Sequence, residues 1–272
     1  MFIGVPVTLR SAFAVLVLIA IAWPARTHAQ SCHAASLRPN DDSASVLTYR
    51  VSVATLSANF VTDSVRGEYQ GLLATASVSH AWFALDVTLP GYRIAQVGSH
   101  AYGMGDLLVD ARANLYRSAN DTLIIGPEFA ATLPTGRASK QLGMGHVMLM
   151  PGGFLRWNDR GFSVIAQLSY GRALASGQHA EHAGPRPLVN PMNASELAHA
   201  LSASARLHPN IQATGRLLGA VTLFDHAGAA REIIAPGLQL IMGAFDAALE
   251  IQVPIVGTPF TSRAVLTLGA QW

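Results

Sequence analysis

Residues 264–272, the last nine of the chain, read AVLTLGAQW. Side chains of a β-strand point alternately to its two faces, so every second residue shares a face. One face of this segment would carry only apolar side chains, namely Ala264, Leu266, Leu268, Ala270 and Trp272. The other face would carry Val265, Thr267, Gly269 and Gln271. The pattern predicts a strand with one apolar face that ends on a tryptophan.

The N-terminal residues are typical of a secretory signal peptide. Arg10 precedes an apolar run over residues 12–23, and a small-residue site follows at 27–29. The run is shorter than the roughly twenty apolar residues of a membrane-spanning helix, so we predict a cleaved signal peptide over residues 1–29. Export as a lipoprotein through Cys32 is the alternative, although the residue three positions earlier is not the usual leucine.

The composition differs from that of a soluble globular domain. Hydrophobic residues make up 50% of the chain and charged residues only 12%, whereas about a quarter of the residues of soluble domains are charged. No apolar stretch after the signal reaches helix-spanning length, so the hydrophobicity is distributed over short alternating segments. A barrel wall that faces lipid needs such alternation. The single cysteine excludes an intrachain disulfide, and a net charge of +2 gives no reason to expect a nucleic acid partner.

Apolar alternation recurs along the mature chain and predicts twelve strands. They cover residues 47–60, 69–82, 83–97, 106–118, 122–134, 146–158, 162–174, 197–210, 211–224, 233–245, 246–257 and 263–272. We therefore predict an all-β chain that forms a transmembrane antiparallel β-barrel over residues 46–272. Residues 30–45 lack periodicity and are predicted to be a periplasmic lead.

The predicted connections alternate in length. Longer ones fall at residues 61–68, 98–105, 135–145, 175–196, 225–232 and 258–262, each after an odd-numbered strand. Outer-membrane barrels have short periplasmic turns and longer external loops, so this sorting favours an outer-membrane location. The partners would be outer-membrane lipid and the barrel-assembly machinery, which would contact the C-terminal strand at Trp272. A soluble β-sandwich is the alternative, but its loops need not be sorted in this way.

Charged side chains should face the lumen, because Arg or Lys at mid-bilayer on a lipid face costs about 2 to 4 kcal/mol. This assigns to the lumen Arg50, Asp86, Asp110, Arg112, Glu128, Arg156, Arg206, Arg216 and Glu250. The lipid face would include Leu85, Val87, Phe129, Leu155, Leu201, Leu217, Leu249, Ile251 and Val253. The two signs could form a closed ion-pair network or a polar pathway that selects a solute.

One part of the chain resembles a known family. Residues 126–136 read GPEFAATLPTG, residues 142–146 read LGMGH and residues 151–154 read PGGF. Together with Gly105-Asp106-Leu107, this order resembles the outer-membrane proteins grouped under the MetA pathway of phenol degradation. The resemblance covers about residues 100–160 and implies a barrel that takes up or exports small, often hydrophobic or aromatic compounds. It brings no catalytic residues, and the loop at 175–196 departs from it.

Histidines suggest a second function. His179 and His182 flank Glu181, and His226 lies on the neighbouring predicted external loop. Imidazole at such spacing suits Zn or Cu. The same external end would hold His100, His146, His199, Met104, Met144 and Met192. The alternative is that external loops are simply polar and tolerate histidine. No other cofactor is expected.

No catalytic motif supports an enzyme. His199 and Ser202 are three residues apart on one predicted strand, hence on opposite faces, and the chain has no Gly-x-Ser-x-Gly, phosphate loop or dinucleotide fingerprint. We therefore expect a channel or transporter for small, hydrophobic or aromatic solutes. The alternatives are an outer-membrane protein that captures Zn or Cu and a structural barrel with a closed, ion-paired lumen.

Overall fold

The structure is a computed structural model that describes residues 47–61, 66–174, 189, 192–223, 230–257 and 260–272. The predicted signal peptide, the periplasmic lead and His179, His182 and His226 lie outside these residues. Within them, no helix is long and apolar enough to cross a bilayer. The strands are β1 (Thr48–Val61), β2 (Arg66–His80), β3 (Phe83–Gln96), β4 (Ser99–Met104), β5 (Leu107–Ala113), β6 (Tyr116–Arg117), β7 (Leu123–Leu133), β8 (Val147–Asp159), β9 (Phe162–Leu174), β10 (Ser195–His208), β11 (Ile211–Thr222), β12 (Arg231–Met242), β13 (Phe245–Val256) and β14 (Phe260–Gln271).

The strands close into an antiparallel barrel. The last strand, β14, pairs with β1 over nearly its whole length, and β2 pairs with β3 to complete the ring. The short strands β4, β5 and β6 share one position in the wall, because β4 and β5 both pair with β3 while β5 and β6 both pair with β7. The fourteen strands therefore fill twelve positions, as the sequence predicts.

Two predictions about this part of the wall were wrong. The segment 98–105 is not a long loop, because β4 follows β3 after a tight turn at Val97 and Gly98. Gly98 has φ 78°, which glycine adopts without the strain of a side chain. The predicted strand 106–118 is interrupted at Leu115, between β5 and β6. The long external connections are thus 134–146, 175–194 and 223–230, while the other three are short.

The breaks between β4 and β5 and between β5 and β6 are both β-bulges. Three residues separate Met104 from Leu108, but only two separate their partners on β3. Likewise, three residues separate Arg112 from Tyr116, but only two separate their partners on β7. Each extra residue bends the strand and shifts its side-chain alternation by one. The first bulge contains Asp106, whose carboxylate takes part in the site described below.

The outer face confirms the predicted alternation. Exposed apolar side chains follow every second residue, including Leu85, Phe129, Leu155, Leu249, Ile251, Val253, Leu266 and Leu268. Aromatic side chains collect on this face at the strand ends next to the short turns and the C-terminus, namely Tyr49, Phe83, Tyr116, Trp157, Phe162, Phe245 and Trp272. Such a girdle is typical of a membrane–water interface, and the predicted orientation places this end of the barrel on the periplasmic side.

Candidate functional site

The lumen contains the charged residues assigned to it from the sequence. All nine lie at inward positions of their strands, and five of them are less than 9% exposed: Arg50, Arg112, Arg156, Arg216 and Glu250. Asp86, Asp110 and Glu128 are partly buried. Arg206 is exposed, because it lies next to the turn between β10 and β11.

One ion pair forms close to the closing seam of the barrel. The Arg50 guanidinium on β1 donates to the Asp246 carboxylate on β13 at 2.8 Å. The Gln239 side-chain amide on β12 donates to the same carboxylate at 3.1 Å. A buried charge is tolerated only when it is paired, so Asp246 and Arg50 stabilise each other's burial. The sequence alone indicated Arg50 but not its partner, because the two are 196 positions apart.

A second network crosses the neighbouring strands. Arg216 donates to Glu250 at 3.4 Å, and the Gln252 amide also donates to Glu250. The side-chain amide oxygen of Gln252 accepts a hydrogen bond from the Arg263 guanidinium at 2.6 Å. Arg263 also donates to the Tyr69 hydroxyl at 3.2 Å. The network therefore links four strands through the lumen, and Arg263 and Tyr69 are members that the sequence did not reveal.

Four more of the predicted charges lie on β3, β5 and β7. Arg112 on β5 contacts the carboxylates of Asp86 at 3.1 Å and Asp110 at 3.2 Å. Glu128 accepts a hydrogen bond from the Gln167 amide at 2.6 Å. Acidic groups thus outnumber Arg112 here, whereas the seam holds a one-to-one pair. Among the described residues, positively and negatively charged side chains of the lumen lie within hydrogen-bond distance of each other, which supports the ion-paired arrangement.

A large apolar cluster lies in the external part of the lumen, beside Arg263, whose guanidinium is 4.7 Å from the Phe260 ring centroid. Inward side chains of β1, β2, β3, β11, β12 and β14 form one buried cluster, which we call the apolar seal: Ala54, Leu56, Ala58, Phe60, Tyr69, Leu73, Tyr92, Ile94, Leu142, Val189, Leu218, Ile233 and Phe260. Leu142 and Val189 come from external loops, and each is only 1% exposed. Because both pack against inward side chains, parts of two loops lie inside the barrel. The sequence prediction of a charged lumen missed this apolar cluster.

Asp106 holds one of these loops in place. Its carboxylate accepts backbone hydrogen bonds from Gly136 at 3.0 Å and from Met144 at 2.6 Å. The Thr135 hydroxyl donates to the Gly105 carbonyl at 2.7 Å and accepts from the Leu107 amide at 2.9 Å. The segments that carry the family resemblance therefore meet at one place. They join the β4–β5 bulge to the loop that carries Leu142.

A methionine cluster borders the seal. Met144, Met148, Met150 and Met192 are each at most 7% exposed and pack together with Ala130. Met144 and Met192, which the sequence placed at the external end, are buried in this cluster. His199 instead points outward and contacts the Glu232 carboxylate at 2.8 Å. Across the described residues, no three His, Cys, Asp or Glu side chains are grouped as a metal site would require.

A buried ion pair at the external end was missed by the sequence analysis. Arg231 on β12 donates two hydrogen bonds to Glu196 on β10, one of them at 2.7 Å. Asn193 donates to the same carboxylate from its backbone and its side chain. Arg231 is 1% exposed and Glu196 is fully buried. The pair anchors the chain where the long loop 175–194 re-enters the wall.

Comparison with solved structures identifies the architecture. The COG4313 outer membrane channel from Pseudomonas putida F1 superimposes with a TM-score of 0.62 at 12% identity, covering 86% of this chain and 99% of that one. The fold is that of an outer-membrane β-barrel. The translocator domain of the autotransporter NalP from Neisseria meningitidis gives a TM-score of 0.51 at 12% identity, covering 83% and 88% of the two chains.

A third similar structure is the KdgM porin in complex with disordered oligogalacturonate. Its TM-score is 0.50 at 11% identity, and the match covers 82% of this chain and 98% of the porin. At these identities the similarity shows the fold alone. No family model and no curated protein matches this chain. The resemblance to the MetA-pathway family therefore remains a prediction.

Proposed function

We propose that this barrel is an outer-membrane channel or transporter for small hydrophobic solutes, including aromatic ones. The apolar seal is the observation that carries the proposal. Porin lumens are polar and filled with water, whereas the seal presents aliphatic and aromatic side chains inside this barrel. A solute that enters from outside would contact Phe60, Tyr92 and Phe260 before it reached the Arg50–Asp246 pair near the opposite strand ends.

Two further features fit this function. Methionine is unbranched and polarizable, so the cluster beside the seal can adapt to ligands of different shapes. Leu142 reaches the seal from a loop, and a loop can move without breaking strand pairing. The loop would therefore shift when an apolar solute replaces Leu142 in its contacts. The Arg50–Asp246 and Arg112–Asp86 ion pairs lie closer to the periplasm and would limit the passage of free ions. None of these features involves catalysis, and we propose no enzymatic activity.

Leu218 and its chain neighbour Leu217 provide a matched test. Leu218 lies in the seal with 5% exposure, while Leu217 occupies the lipid-facing position beside it. Cells that produce the protein should take up a radiolabelled monocyclic aromatic compound faster than cells that lack it. The variant Leu218→Gln should lose most of this gain, and Leu217→Gln should keep it. Heat-modifiable migration on gels would check that both variants fold.

The uptake and single-channel measurements have three informative outcomes. Uptake that falls only in Leu218→Gln supports a hydrophobic pathway through the seal. Equal uptake by the wild type and Leu218→Gln would contradict that pathway. No gain from the wild type, together with silence in single-channel recordings, would favour the alternative of a structural barrel. Capture of Zn or Cu remains a separate hypothesis, because His179, His182 and His226 lie outside the described residues.

A further inference from the structure

The outer wall contains a groove on the side where the barrel closes. Its volume is about 640 Å³, and its lining extends from β13 across β14, β1, β2 and β3 to β4. Thr55, Ala264 and Gly91 are small residues at outward positions along it, and Leu72, Leu249 and Leu266 form its borders. The groove therefore results from short side chains between larger ones on the lipid-facing surface.

Hydrocarbon must fill this groove in the membrane. The wall faces acyl chains, and water is absent from the bilayer core. An empty groove would lose dispersion contacts along its whole lining. A lipid chain that lies along Thr55 and Gly91 would restore those contacts. The position of the groove in the membrane therefore requires an occupant with an apolar chain.

The external edge of the groove carries a positive charge. The Arg93 side chain lines this edge and donates to the side-chain amide oxygen of Gln70 at 3.4 Å. The described residues place no carboxylate within ion-pair distance of Arg93. Tyr102 is its cross-strand neighbour on β4 and lies 5.7 Å from the Lys140 ammonium. Arg66 is exposed on the same face, and Glu68 is the acidic residue there. Cations therefore outnumber acids at this edge.

We propose that the groove binds a phosphate-bearing lipid of the outer leaflet. One acyl chain would lie along the small residues, and the phosphate would bind Arg93 with Lys140 and Arg66 nearby. Guanidinium and phosphate form strong, often bidentate hydrogen bonds. A charged residue on the outer wall costs little free energy near the interface, where a headgroup can pair with it. This proposal does not depend on which solute the lumen carries.

Two variants and two matched controls test the site. Arg93→Gln removes the charge, and Arg172→Gln removes an exposed outward arginine on β9, far from the groove. Gly91→Leu fills the groove, since a Cβ at Gly91 would meet only the Leu72 carbonyl oxygen, at 3.9 Å. Gly215→Leu adds the same side chain on β11, where a Cβ would meet nothing within 4 Å. All four variants should remain heat-modifiable.

Native mass spectrometry of the refolded protein with bisphosphorylated lipid A measures the occupancy. We expect Arg93→Gln and Gly91→Leu each to weaken lipid binding about tenfold. Arg93→Gln would remove one charge-assisted hydrogen bond to the phosphate, and Gly91→Leu would remove a comparable apolar contact with the acyl chain. The controls should bind like the wild type. Equal losses in Arg93→Gln and Arg172→Gln, or full binding by Gly91→Leu, would overturn the proposal. Displacement of the lipid by millimolar inorganic phosphate would also overturn it, because the site would then be a simple anion site.

Discussion

At the scale of single residues, buried polar groups hold the loops and strands of the lumen in place. Asp106 accepts two backbone hydrogen bonds from the loop that carries Leu142, and Glu196 pairs with Arg231 where another loop re-enters the wall. An unpaired buried polar group costs more free energy than its hydrogen bond contributes. These contacts are therefore the places where a single substitution should have the largest effect.

Asp106→Ala should release the loop from the bulge. The substitution leaves the amides of Gly136 and Met144 without their acceptor and should destabilise the closed loop by about 1 to 3 kcal/mol. Single-channel recordings should then show more frequent or larger conductance steps than the wild type. Asp159→Ala, in an exposed periplasmic turn, is the control and should leave the recordings unchanged. Identical traces for both variants would show that Asp106 does not hold the mouth closed.

Arg231→Ala should destabilise the barrel strongly. The substitution leaves the Glu196 carboxylate buried without its cation, which costs about 3 to 5 kcal/mol. The double variant Arg231→Ala, Glu196→Ala should recover much of this loss, because no charge remains buried. Urea unfolding of refolded protein in lipid vesicles measures the three free energies. If the double variant is as unstable as the single one, the Arg231–Glu196 interaction itself stabilises the barrel. The loss in the single variant would then not come from the unpaired Glu196 carboxylate.

At the scale of elements, the two bulges adapt one strand position to its neighbours. The second bulge brings the Ala113 carbonyl against β7 at Gly126, where a Cβ would overlap the carbonyl oxygen. Glycine is therefore required at this position by a close backbone approach and not by a turn. The strand position that carries β4, β5 and β6 depends on this contact.

Gly126→Ala should impair folding of this strand position. The methyl group would force β5 and β7 apart, because backbone atoms cannot move aside as a flexible side chain can. Gly153→Ala on the adjacent strand is the control, since its Cβ would be 3.4 Å from the Gly126 carbonyl oxygen. The heat-modifiable fraction after refolding should fall for Gly126→Ala and stay near the wild-type value for Gly153→Ala. Normal refolding of Gly126→Ala would mean that the bulge can relax.

At the scale of the whole molecule, the barrel depends on the pairing of its first and last strands. Tyr49 and Trp272 exchange two backbone hydrogen bonds of 3.0 Å, and Gln271 lies opposite Arg50 in the ladder. Closure removes the free edges of the sheet, which would otherwise expose unpaired backbone groups to lipid. The C-terminal residues therefore complete the wall as well as the aromatic girdle.

Deletion of Gln271 and Trp272 should reduce assembly without blocking export across the inner membrane. The truncated strand loses the Tyr49 pairing and one interfacial aromatic side chain. Trp272→Phe keeps the backbone pairing and an aromatic ring, so it should assemble almost normally. Membrane fractionation with protease protection measures the outcome. A truncated protein that reached the outer membrane folded and at normal yield would contradict the role of the closing strand.

The sequence by itself determined the twelve strand positions of the wall, the faces and the inward charges. Alternation with a period of two is a local property, and the bilayer dictates which face must be apolar. Arg50, Arg112 and Glu250 could therefore be assigned to the lumen one strand at a time. The prediction did not depend on knowing which strands are neighbours.

Only the tertiary structure decided the bulges, the ion-pair partners and the apolar seal. Bulges at Asp106 and Leu115 follow from register between strands, which local alternation does not record. The pairing of Arg50 with Asp246 joins residues 196 positions apart. The seal depends on Leu142 folding inward from a loop whose sequence does not show which of its residues enter the barrel. Closure of the barrel brings these distant groups together, so their contacts are a property of the whole ring.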